Sequence, residues 1–205
     1  MTATEPCDVV VVGARCGGAA TAMLLAAAGH DVQLVDRASF PSDTMSTHAI
    51  ARNGMVQLDR WGVLPAILDA GTPPIRDVVF HTAEEVIART VKDRLGVDML
   101  IAPRRHVLDT LLVDAAVAAG AKLRTGFSVD GVLRSTTGRV TGVRGHNRTG
   151  APLDIEAAFV VGADGRGSRI ARAVGAPFTE VHQANSGSTY YAYFSGNWPA
   201  MEYHL

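Results

Sequence analysis

The sequence predicts an α/β fold, a parallel sheet flanked by helices, and three observations predict it. An apolar, β-branched run opens into a glycine-rich loop, "DVVVVGARCGG" (8–18); an Ala- and Leu-rich stretch follows; and a second apolar run, "DVQLVD" (31–36), closes the unit. Strand, tight turn, helix and strand within about 30 residues is a βαβ unit. A strand as wholly apolar as "DVVVVG" (8–13) suits the centre of a parallel sheet covered on both faces.

The remaining elements follow in order. "GGAATAMLLAAAG" (17–29) reads as the crossover helix, stopped by Gly29 at C′. A long loop, "RASFPSDTMSTHAIARNG" (37–54), leads to a short helix ending near "LDRWG" (58–62). "PPIRDVVFHTAEEVIARTVKD" (73–93) has short apolar runs and a turn near Ala83–Glu84, so an antiparallel excursion is expected. "RRHVLDTLLVDAAVAAG" (104–120) carries Leu108, Leu111, Leu112, Ala115 and Ala116 at helical spacing, with Gly120 at its end. Strand-like segments around 128–134, 139–146 and 151–157, separated by "STTG" and "NRTG", read as a β-meander. "AAFVVGADG" (157–165) reads as another buried strand, and "SRIARAVG" (168–175) as a short helix with Ser168 as N-cap. The last strand-like run, "STYYAYFSG" (188–196), puts Tyr191 and Tyr193 on one face and Tyr190 on the other, as in a sheet wall.

Composition narrows the function classes. With 205 residues, 47% of them hydrophobic, the chain can bury one sizeable core and a small second lobe. Nineteen basic residues against 20 acidic ones favour neither nucleic acid nor an anionic membrane as partner. No apolar run approaches the ~20 residues of a membrane span. "MTATEPCD" has no basic stretch before its first apolar run, so no secretory signal is expected. Cys7 and Cys16 flank the first strand, ~20 Å or more apart at ~3.3 Å per residue, too far for a disulfide. A reduced, cytoplasmic protein is the expectation. The seven histidines show no i,i+4 pair and the cysteines no metal-binding spacing, so no metal site is assigned; there is no G-x-S-x-G elbow either.

The glycine-rich loop carries the chemistry. A phosphate-cradling turn wants G-x-G-x-x-G; Gly13 and Gly18 hold the outer positions and Arg15 the inner one. A side chain at position 15 obstructs the closest approach of backbone to a pyrophosphate, but a guanidinium can bond phosphate oxygens bidentately. We expect an altered, working cradle with the Arg15 guanidinium facing the diphosphate. Asp36 follows Gly13 by 23 residues, where an acidic side chain accepts hydrogen bonds from a ribose hydroxyl pair and disfavours a 2′-phosphate.

The order of motifs resembles the N-terminal half of the FAD-dependent monooxygenases of the p-hydroxybenzoate hydroxylase type and the related geranylgeranyl-reductase-like flavoproteins. The matching stretches are the βαβ unit ending in "LVDR" (34–37), "RRHVLDTLL" (104–112) and "VVGADGRGSRIAR" (160–172), with Asp164, Gly165, Ser168 and Arg172 in the Asp-Gly fingerprint. Ala-Arg-Cys after the first glycine and "FPSDTMSTH" (40–48) are similar to some members. The resemblance implies that Gly13, Arg15, Cys16, Gly17 and Gly18 meet the FAD pyrophosphate. It implies further that Asp36, followed by Arg37, takes the adenosine ribose and that Arg105 contacts the cofactor from its helix. Asp164 and Gly165 would lie beside the diphosphate and ribityl portion, and His48 near the flavin ring. No catalytic residue is assigned.

The resemblance implies an FAD-dependent oxidoreductase, first a monooxygenase using NADH or NADPH on a small aromatic or lipophilic substrate. A double-bond reductase of the geranylgeranyl type is the alternative, and an inactive truncated FAD-binding fragment a third reading. A flavin-dependent halogenase is disfavoured, because Trp61 and Trp198 stand far apart and form no Trp-x-Trp-x-Ile-Pro stretch. The family's second flavin motif, a Gly-Asp followed by Ala and His, is absent from these 205 residues. A homo-oligomer or a missing C-terminal half is therefore expected to complete the pocket. The organisation expected is 1–72 and 103–180 as the two parts of the FAD-binding domain, with 73–102 and 181–205 as substrate-domain segments.

Overall fold

The computed structural model describes residues 3–46, 48–177, 190, 192, 196 and 200–204. Its elements, in chain order, are β1 (Ala3–Val12), α1 (Cys16–Ala27), β2 (Val32–Asp36), α2 (Arg52–Arg60), α3 (Leu64–Asp69), β3 (Asp77–His81) and β4 (Val86–Thr90). There follow α4 (Arg105–Ala118), β5 (Lys122–Thr125), β6 (Ser128–Arg134), β7 (Val140–His146), β8 (Pro152–Gly162), α5 (Arg169–Ala173) and β9 (Met201–His204). The chain divides into two compact units, Met1–Asp43 with Leu108–Val181, and Thr44–Val107 with His182–Leu205.

The first unit is a six-stranded sheet in the order β5-β2-β1-β8-β7-β6. β1 pairs in parallel with both β2 and β8, and β2 with β5. This central place accounts for the unbroken valines: Val9, Val10, Val11 and Val12 are all buried, as are Val32, Leu34 and Val35 beside them. α1 packs through small residues, burying Gly18, Ala19, Ala22, Met23 and Ala26. One core cluster joins Val10, Val12 and Val35 of the parallel strands to Phe127, Val129, Val143 and Ile155 of the meander region and Ile170 of α5. The α/β class and the meander are as the sequence indicates.

Several details differ. The two expected strands at 151–157 and 157–165 are one strand, β8, because no turn residue interrupts "PLDIEAAFVVG". Its first residues pair with β7 and residues 153–162 with β1, so the meander is hydrogen-bonded into the parallel sheet. β8 is also not buried throughout, since Phe159 is 68% exposed. β1 begins at Ala3, which puts Cys7 inside the strand instead of at its end; both cysteines are free thiols. β5, α3 and β9 were not expected: four to six residues are too few to show a period, and "KLRT" of β5 is the polar sequence of an edge strand.

The second unit contains α2, α3 and a three-stranded sheet ordered β4-β3-β9. β3 and β4 form the antiparallel excursion, and β9 joins β3 in parallel. The tyrosine-bearing run 188–196 lies largely outside the described residues. No helix among the described residues is long and apolar enough to cross a membrane.

Candidate dinucleotide site

In the first unit, the carboxyl ends of β1, β2 and β8 meet at the glycine-rich loop. The Gly13 N–H donates to the Val35 carbonyl at 2.8 Å, and the Ala163 N–H to the Val12 carbonyl at 2.8 Å. Gly13 has φ +102°, and a Cβ there would stand 2.4 Å from the Ala163 oxygen. Gly18, one turn into α1, passes even closer: its Cβ would fall 1.6 Å from the Gly13 oxygen. The two outer glycines are thus required by the protein's own backbone, which packs strand, loop and helix together as dinucleotide folds demand.

Asp36 ties this loop to β2. Its Oδ2 accepts from the Ala14 N–H at 2.7 Å and its Oδ1 from the Ala38 N–H at 2.7 Å. A carboxylate has about four acceptor sites, so two bonds leave capacity for hydroxyl donors. Arg37 follows and is exposed.

Arg15 is the N-cap residue of α1, with extended backbone (φ −82°, ψ −174°) and no side-chain capping bond. Negative φ is ordinary for a residue with a Cβ, which explains how arginine replaces glycine here. Its guanidinium makes several contacts with the protein. Nη1 donates to Asp109 Oδ2 at 2.6 Å and to the Ser42 carbonyl at 3.2 Å, and Nη2 donates to Ser42 Oγ at 2.9 Å. The guanidinium carbon also lies 5.4 Å from the centre of the Phe40 ring. Buried Asp109 thus holds the guanidinium charge in a direct ion pair. The Cys16 thiol donates to the other oxygen of Asp109 at 3.2 Å.

Asp164 caps α5. Its Oδ2 accepts from the Arg169 N–H at 2.6 Å and the Ile170 N–H at 3.3 Å, and its Oδ1 from Ser168 Oγ at 2.5 Å. Ser168 Oγ in turn accepts from the Ala171 N–H at 2.9 Å, as its N-cap reading requires. Gly165 continues the loop with φ +84°.

The structure therefore gathers Gly13, Arg15, Cys16, Gly17, Gly18, Asp36, Arg37, Asp164 and Gly165 in one unit at three adjoining strand ends. His48 and Arg105 belong to the second unit: the His48 Nδ1 lies 2.8 Å from Ser46 Oγ, and Arg105 opens α4. Sequence reasoning missed Asp109 and Ser42. Asp109 could have been noticed as a carboxylate inside the buried stripe Leu108, Leu112, Val113, Ala116 of α4; Ser42 carries no such signal. The second unit also holds an open cavity of about 470 Å³, lined by Val78, Phe80, Leu100 and Tyr203 with Arg52, Arg89 and Lys92 among its polar residues.

The loop fits a dinucleotide. α1 starts without a side-chain cap, and a Cβ at Gly17 would meet nothing within 4 Å, so the first turn is open to a diphosphate. A parallel sheet with such a loop after β1 and an acid ending β2 defines a dinucleotide-binding α/β domain. The chain belongs to the FAD-binding domain family, whose model matches residues 6–195. It is 30% identical over 175 residues to a digeranylgeranylglycerophospholipid reductase of Methanothrix thermoacetophila, covering 82% of this chain and 42% of the relative. Over 171 residues it is 28% identical to a 12-dehydrotetracycline 5-monooxygenase/anhydrotetracycline 6-monooxygenase of Streptomyces rimosus, covering 83% and 33%. Among solved structures it resembles a myxobacterial chondrochloren halogenase (TM-score 0.71, 26% identity, 82% of this chain and 39% of the other). A flavoprotein/dehydrogenase from Cytophaga hutchinsonii shares the fold (TM-score 0.72, 24% identity, 83% and 42%). The chain spans between about a third and just over two-fifths of the length of these proteins.

Proposed function

We propose that this chain is the FAD-holding part of an FAD-dependent oxidoreductase, and that the whole protein is a monooxygenase of a small aromatic or lipophilic molecule with NADH or NADPH as reductant. The observation that carries the reading is the convergence of Gly13, Gly18, Asp36 and Asp164 at the ends of β1, β2 and β8. The backbone of the loop and of α1's first turn would bind the diphosphate, and Asp36 would accept from the adenosine ribose. Asp164 and Gly165 would flank the cofactor, with Asp164 holding its own loop rigid by capping α5. Arg15 would act through its backbone, its side chain being used to fasten the loop. When bound, FAD supplies hydride acceptance and oxygen chemistry. His48 and Arg105 are assigned to cofactor contact by resemblance alone. The 470 Å³ cavity of the second unit is within the range of small-molecule sites, and its aromatic floor with basic residues suits an apolar ring bearing an anionic group.

A second reading, reduction of an isolated double bond, is favoured by the 30% identity to the archaeal reductase. Full activity is proposed to need a further segment or a second copy, and the cytoplasm is the proposed location.

The test is to load the purified chain with FAD and follow flavin absorbance and dissolved oxygen after adding NADH or NADPH. Flavin bleaching coupled to oxygen consumption supports the monooxygenase reading. Bleaching under argon, reversed by a prenyl double bond rather than by oxygen, supports the reductase. Bound FAD that no nicotinamide bleaches leaves the chain a cofactor-holding part and contradicts activity in these 205 residues.

A further inference from the structure

We propose that His81, Glu202 and His204 form a binding site for one divalent transition-metal ion of the Zn²⁺, Co²⁺ or Ni²⁺ kind. This site is independent of the FAD reading. β3 and β9 run in parallel with His81 opposite His204 and Val79 opposite Glu202. Alternation along each strand puts His81, Glu202 and His204 on one face of the sheet. Phe80 and Tyr203 fall on the other, where their rings stack with centroids 5.1 Å apart.

On the shared face, the two imidazoles stack 4.3 Å apart and within 4° of parallel. Glu202 Oε2 lies 3.5 Å from Nε2 of His81 and 3.5 Å from Nε2 of His204. A charge-assisted hydrogen bond would draw these atoms to about 2.7–2.9 Å. The His81 Nε2 is moreover shielded from solvent and makes no hydrogen bond. A tetrahedral ion with bonds of ~2.1 Å holds its ligand atoms ~3.4 Å apart, which is the spacing seen on both sides of the carboxylate. The three donor atoms lie within 4.8 Å of one another, and turning one imidazole out of the stack would aim both ring nitrogens at a shared ion; among the described residues it is the one such group. Two imidazoles and a carboxylate favour Zn²⁺, Co²⁺ or Ni²⁺ over Mg²⁺ or Ca²⁺, which prefer all-oxygen shells. Three protein ligands leave a fourth position for water or an external donor. The site could not be read from spacing, because its histidines lie far apart in the chain and only the pairing of β3 with β9 joins them.

The experiment is a Co²⁺ titration of the full 205-residue chain without FAD, read by visible d–d absorption, followed by displacement with Zn²⁺ in a calorimeter. One ion per chain with a tetrahedral cobalt spectrum is expected, displaced stoichiometrically by Zn²⁺. His204→Ala and Glu202→Gln, both at exposed positions, should each weaken Co²⁺ binding at least ~10-fold while FAD affinity stays at the wild-type value. His81→Ala should do the same; if circular dichroism shows it misfolded, the other two variants decide. Absence of saturable Co²⁺ binding, wild-type affinity in both exposed variants, or a thiolate-to-cobalt charge-transfer band placing the ion on Cys7 or Cys16, each overturns the proposal.

Discussion

Arg15, in the loop after β1, donates to Asp109 of α4 across 2.6 Å, and the Asp109 side chain is 0% exposed. A buried carboxylate is tolerable only when paired or hydrogen-bonded, and removing its cationic partner is costly. Arg15→Ala should therefore lower stability by about 3 kcal/mol, the lower end of the range because Arg15 itself is 29% exposed. Urea unfolding measures this. Replacing both partners, Arg15→Met with Asp109→Leu, should recover most of the loss; a double variant no better than the single one would deny that the pair is the cause.

The glycines of the loop should divide sharply. Gly18→Ala puts a Cβ 1.6 Å from the Gly13 oxygen and is expected to cost about 3 kcal/mol or more. Gly17→Ala meets nothing within 4 Å and should be neutral or stabilising by up to about 1 kcal/mol through helix propensity. Thermal unfolding of the two purified variants checks the contrast.

Removing the hydroxyl that caps α5 should be milder. Ser168→Ala loses the bond to the Ala171 N–H and the donor to Asp164, and about 1 kcal/mol is expected. Ser168→Thr should retain most of it. Denaturant midpoints for the pair decide whether the hydroxyl or the volume matters.

Much of the first unit was legible because its signals are local. The valines of β1 announce a central parallel strand, Gly13 and Asp36 sit at the spacing of a nucleotide loop, and Ser168 stands where an N-cap must. What failed was long-range or short. The Asp109 partnership with Arg15 joins two elements whose sequences do not mention each other. β5, α3 and β9 are too short to carry a period. β8 was read as two strands because its alternating first half and apolar second half look different, although β1 pairs with both.

The meander carries a pH-dependent ion pair. Arg144 and Asp154 face each other in the β7–β8 register, with Nε to Oδ1 at 3.0 Å and Nη2 to Oδ2 at 2.9 Å. The hydrogen bonds from Arg144 hold the Asp154 carboxyl below the usual carboxylate range. Because the folded-state value is depressed, the stabilisation is present above the unfolded-state pKa and is lost as pH falls through the folded one. Asp154→Asn should thus unfold at a lower temperature than wild type at neutral pH, with the gap closing as pH falls below the usual carboxylate range. A gap that persists in acid would assign the effect to something other than the carboxylate charge.

The most direct test of the central claim is an FAD titration of the purified chain, read by flavin fluorescence, alongside the Asp36→Asn variant. The account predicts saturable binding of one FAD per chain by wild type, and at least ~10-fold weaker binding when Asp36 loses its charge, the worth of one charge-assisted hydrogen bond to a ribose hydroxyl. A folded wild-type chain that shows no saturable binding, or a folded variant that binds FAD as tightly as wild type, would contradict it.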